Sequence, residues 1–94
     1  MLYAAKCYWP GATRDDLERV AERAVRAGRT ADSAGVVYLG SLLFAADDLV
    51  LCLFQGYSRT AVMRAGDRLG IPRERLMDSL WIGPAQPATE GNLE

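Results

Sequence analysis

The chain has no histidine and a single lysine, Lys6. Without imidazole, acid–base work near neutral pH falls to a perturbed carboxylate, lysine, cysteine or tyrosine. Two cysteines, Cys7 and Cys52, stand in no paired motif. They are too few for a disulfide framework and lack zinc-ligand spacing, so they read as small core hydrophobes. No glycine-rich phosphate loop, metal-binding spacing or serine–histidine–acid set can be assembled, so no residue is assigned as a metal ligand and no cofactor is expected. No basic block occurs and the formal net charge is −1, which speaks against nucleic acid or an anionic membrane as partner. The longest apolar run is far short of the roughly twenty residues of a membrane helix. The N-terminus also lacks the basic-then-apolar pattern of a secretory signal. A reducing, cytoplasmic setting is the expectation.

What is present is an ordinary globular composition: 94 residues, 50% hydrophobic and 24% charged, which is one domain's worth of chain. The stretch from Val36 to Gln55, VVYLGSLLFAADDLVLCLFQ, reads as two strands around a turn at Ala46-Asp47-Asp48. A strand with one wet face alternates apolar and polar residues, and these do not. Period-two spacing puts Leu49, Leu51 and Leu53 on one face and Val50, Cys52 and Phe54 on the other. In the preceding strand it groups Val36, Tyr38, Leu42 and Phe44 against Val37, Leu39 and Leu43. Both faces of this sheet therefore need cover.

The flanking elements follow from local signals. Met1 to Trp9 reads as a strand ended by Pro10-Gly11. Thr13 and Asp16 form a short capping box that opens a helix with Leu17, Val20, Ala21, Ala24 and Val25 on one stripe. Its other face carries Arg19, Glu22, Arg23 and Arg26 and reads as solvated, and Gly28 stops it. A polar loop over residues 29–35 leads to the hairpin. Ser58 caps a second helix with Ala61, Val62, Ala65 and Leu69 inward, ended by Gly70-Ile71-Pro72. Arg75 to Ile82 reads as the last strand, and residues 83–94 as a flexible tail or dimer arm beyond a domain spanning residues 1–82.

Strand, helix, strand, strand, helix, strand is the ferredoxin-like βαββαβ order: an α+β fold with a four-stranded antiparallel sheet and two helices on one face. The second face stays apolar with nothing left in the chain to cover it, which predicts a homodimer with sheets packed face to face, a dimeric α+β barrel. A lysine under helices is costly, so the Lys6 face is expected to point away from them, and the same reasoning is applied to Asp78. The first and last strands are neighbours in this fold, so Lys6 and Asp78 are expected to pair, either structurally at the dimer seam or as part of a ligand site. Together with Tyr8 and Tyr38 they form the candidate pocket. Trp9 and Trp81 are expected to fill space against the small residues of the helices.

Four motifs carry a resemblance: WPG at Trp9–Gly11, YLGS at Tyr38–Ser41, CLF at Cys52–Phe54 and GIPRER at Gly70–Arg75. In order and spacing over residues 2–82, they resemble a family of small bacterial ferredoxin-like domains of unknown function, one branch of which is described as nickel-binding. The resemblance implies the fold and a homodimer. Nickel sites favour imidazole, which this chain lacks, so that function is not carried over. Those relatives place an acid–arginine pair where this chain has Lys6 and Cys7. The expectation is a non-enzymatic accessory protein that binds a small molecule or metal ion. A cofactor-independent oxygenase or isomerase of the dimeric barrel type and a protein-interaction subunit are the alternatives.

Overall fold

The computed structural model describes residues 1–27 and 35–84. The expected helix stop at Gly28, the loop over residues 29–34 and the tail from residue 85 lie outside the described residues. The elements are β1 (Leu2–Tyr8), α1 (Arg14–Ala27), β2 (Val37–Phe44), β3 (Leu49–Gln55), α2 (Arg59–Arg68) and β4 (Arg73–Ser79). They build one sheet in the order β2-β3-β1-β4 with every neighbouring pair antiparallel. This is the ferredoxin-like α+β fold. No helix among the described residues is long and apolar enough to cross a membrane.

The helix ends follow their capping residues. At the start of α1 the Thr13 amide donates to Asp16 Oδ2 at 2.8 Å, and the Asp16 amide donates to Thr13 Oγ1 at 3.2 Å. The Thr13 amide, together with the Thr13 hydroxyl that donates to Asp16 Oδ2 at 3.0 Å, holds the Asp16 carboxyl below its usual pKa. Ser58 Oγ accepts from the Ala61 amide at 3.1 Å to open α2. At its other end the Ile71 amide donates to Gly66 O and the Gly70 amide to Asp67 O, with Gly70 at φ +72°. This paired closure leaves Ile71 buried against the core.

Inward residues of β1 (Tyr3, Ala5, Cys7) and β3 (Val50, Cys52, Phe54) meet Val20 of α1, Val62 and Leu69 of α2, Ile71, and Leu76 of β4 in one core. Three arginines tie the helices down. Arg23 donates twice to Leu69 O, at 2.9 and 2.6 Å, so it leaves the solvated face of α1 on which spacing alone places it. Arg73 donates to Met63 O and to Asp67. Arg59 donates to Asp78 and to Leu76 O. Hydrogen bonds from a charged donor contribute about 1.5–3 kcal/mol each where they are shielded.

Two strand expectations change. The last strand begins at Arg73 and ends at Ser79, which lies opposite Leu2 at the start of β1. Trp81 therefore stands exposed instead of filling space under the helices, whereas Trp9 does pack against the core. In β2 the pairing slips between Tyr38 and Gly40. One residue too many for strict alternation turns Tyr38, Ser41 and Leu43 to the helices and Val37, Leu42 and Phe44 to the open face. The expected grouping of Tyr38 with Leu42 and Phe44 fails at this bulge. The turn after β2 is a single tight one over Ala45–Asp47, closed by Asp48 at φ +52°, a conformation that aspartate tolerates.

Gly40 sits in the bulge at φ +142°, a backbone region that side chains disfavour. Gly40→Ala is expected to lower unfolding stability by about 1–3 kcal/mol, read as a reduced urea midpoint. A midpoint equal to the wild type's would show that the bulge relaxes without strain.

Candidate ligand cleft between the first helix and the edge strand

The stripe on α1 is built from small residues. Ala21 and Ala24 bring little bulk to the sheet, and the bulge swings the middle of β2 away from regular pleating. The result is a cleft of about 920 Å³ between α1 and β2, in the size range of small-molecule sites. Its walls are mostly apolar, with Leu17, Ala21 and Val25 from the helix and Val36 and Leu43 from the strand side. The polar groups are few: Arg14 and Glu18, bonded to each other at 3.0 Å, and the hydroxyls of Tyr38 and Ser41.

Those two hydroxyls begin a polar thread into the core. Tyr38 Oη and Ser41 Oγ are 2.5 Å apart, and Ser41 donates to Cys52 Sγ at 3.2 Å. Burial pushes the Tyr38 phenol up, and its bond to Ser41 partly offsets this. Tyr38 also tilts onto Phe54 with ring centroids 5.5 Å apart. Cys52 and Cys7 both lie at 0% exposure on adjacent strands, where Ala5 faces Cys52 and Cys7 faces Val50. The two sulfurs interact: the Cys7 thiol bonded to Cys52 lowers the Cys52 pKa, helped by Ser41, against the opposing effect of burial. The same bond, followed by burial, holds Cys7 far above the usual thiol range. Both cysteines are free. The sequence marked them as core hydrophobes, and nothing in their spacing revealed that they would lie as diagonal neighbours on one face of the sheet.

The four candidate pocket residues are not brought together. Lys6 and Tyr8 lie on the open face, as the lysine argument predicts, and Lys6 reaches Glu74 at 3.9 Å. Tyr38 lies on the helix side of β2 at one edge of the sheet. Asp78 lies at the other edge, in register with Tyr3, and pairs with Arg59 at 2.8 Å. The expected Lys6–Asp78 pair is therefore wrong. Asp78 turns toward the helix layer because an arginine from α2 waits there, a compensation that a burial argument from one strand cannot see. Among the described residues, no group of three or more His, Cys, Asp or Glu side chains is placed to hold a metal ion.

The fold has a solved counterpart. A crystal structure of SCO4226 from Streptomyces coelicolor A3(2) superposes with a TM-score of 0.74, covering 88% of this chain and 100% of that one at 18% identity. At that identity the likeness carries the fold alone. No protein-family model and no curated protein sequence matches the chain.

With both sulfurs shielded, Ellman's reagent is expected to leave the native protein unlabelled and to label both thiols in guanidinium. Tyr38→Ala thins the cleft wall over Ser41, so the label should then reach Cys52 several-fold faster than Cys7 by peptide mass spectrometry. Equal labelling of the two would contradict the assigned order.

Proposed function

We propose that this protein is a small, non-enzymatic binding protein that takes an apolar or planar small molecule in the cleft between α1 and β2. The observation that carries the reading is the cleft itself: an apolar trough with one hydroxyl pair, Tyr38 and Ser41, at a fixed place in its wall. Apolar walls supply affinity in proportion to the surface they dry, and the hydroxyl pair selects a ligand with one carbonyl or hydroxyl group. This chemistry replaces the set Lys6, Tyr8, Tyr38 and Asp78 by one in which Tyr38 alone remains.

The working unit of this proposal is a homodimer. The open face carries Leu2, Leu42, Phe44, Leu49, Leu51, Leu53 and Met77, interrupted by Lys6 and Arg75, a largely apolar layer of the kind that a second sheet covers. The cleft lies on the opposite side of the sheet and stays accessible in such a pair.

The neutral probe N-phenyl-1-naphthylamine is expected to bind saturably at one site per chain. Ala21→Trp, which fills the trough from a solvent-facing helix position, should reduce that affinity at least tenfold without changing the circular dichroism spectrum. Tyr38→Phe should weaken 1-naphthol by about five- to tenfold, one hydrogen bond's worth, and leave naphthalene unchanged. An Ala21→Trp variant that binds as the wild type does would remove the cleft from consideration. Separately, light scattering at micromolar concentration is expected to give the mass of two chains, and Leu51→Asp the mass of one. A wild type that scatters as one chain ends the dimer proposal.

A further inference from the structure

β4 has β1 as its neighbour, and β1 supplies no residue to pair beyond Ser79. Leu80, Trp81 and Ile82 follow, three large apolar residues in a row, exposed at 79%, 56% and 82%. At the opposite edge of the sheet, β2 presents Val37, Leu42 and Phe44 on the open face at 52%, 50% and 40% exposure. The inner leucines of β3 are better sheltered by their neighbours. The molecule thus has an apolar segment at one edge and an apolar strand face at the other.

The registers fix which ends lie together. Val37, Gln55, Leu2 and Ser79 share one end of the sheet, and Phe44, Leu49, Tyr8 and Arg73 share the other. Two two-fold operations lay one open face on another. An axis across the strands stacks β4 on β4 with ends reversed, so that Leu80–Ile82 meets the charged run Arg73-Glu74-Arg75. An axis along the strands stacks β4 on β2 with like ends together. This second operation brings Leu80–Ile82 to the Val37 end of β2. The same register lays Arg75, exposed on the open face beside Lys6, over the partner's Leu42. Apolar meets apolar at each arm, twice over, as an isologous contact requires.

We propose that Leu80-Trp81-Ile82 is a dimer arm that docks on the β2 face of a second copy of this chain, beside the partner's Val37. The inference rests on the face-to-face dimer proposed above and adds its axis and its contact. Each copy gives one arm and receives one, so the open face and the arm are covered in the same step.

Bismaleimidoethane cross-linking of Ile82→Cys and Val37→Cys, each made in the full chain, reads the axis directly because Cys7 and Cys52 are inaccessible. After subunit exchange, the mixture of the two variants should cross-link at least tenfold more than either variant alone. Ile82→Cys linking to Arg75→Cys as well as it links to Val37→Cys would assign the other axis and overturn the proposal. So would no cross-link at all in a preparation that sediments as a dimer. In both cases the dimer reading survives. The double variant Leu80→Asp/Ile82→Asp should raise the dimer dissociation constant by on the order of ten- to a hundredfold, and an unchanged constant overturns the arm. A wild type that sediments as a monomer overturns arm and dimer together.

Discussion

The contact on which the rest depends is the seating of Val20 and Val62 against the inner face of the two central strands, where Cys7, Val50, Cys52 and Phe54 lie wholly out of solvent. Interiors pack as densely as organic crystals, so each of these side chains restrains the next. With only these few residues at the centre, removing one large side chain is costly: a buried phenylalanine cut to alanine loses about 3–5 kcal/mol. The arginine bonds from Arg23, Arg59 and Arg73 then fix how each helix lies on the sheet. They reach carbonyls and carboxylates at the margins of the core and do not lie inside it. No buried side-chain nitrogen or oxygen among the described residues is left without a partner. The core therefore stays apolar apart from two thiols.

Against that tight centre, the α1–β2 side is loose. Val20 is the buried residue of α1, and the rest of its apolar stripe is half-covered or open. Small alanines on the helix and the displaced middle of β2 together leave the trough. The same slip that opens it also delivers Tyr38 and Ser41 to its wall. The bulge thus joins packing to chemistry: with regular pairing, the tyrosine would stand with Leu42 and Phe44 on the other side of the sheet.

Much of the fold was legible in the chain because its signals are local. Thr13 with Asp16, Ser58, and Gly70-Ile71-Pro72 mark helix ends through bonds made within a few residues, and those bonds are present. The double-sided apolar character of β3 gave its two faces correctly. The candidate site was far less legible. Parity from Val36 misassigned Tyr38, because a single extra residue at the bulge inverts every later side chain and Gly40 was the one hint of it. Asp78 was misassigned for a different reason: its partner, Arg59, is 19 positions away in the chain and on another element. The cleft itself is a relation between a helix and an edge strand that no window of sequence contains.

The bulge at Gly40 has one more effect. An exposed sheet edge is a template on which further strands can add without limit, and irregular pairing is one of the devices that blunt it. With its backbone groups out of step around Tyr38 and Gly40, the outer rim of β2 offers no long regular ladder to an incoming strand. Growth along the hydrogen-bonding direction is discouraged at this rim, which biases the sheet away from fibrils.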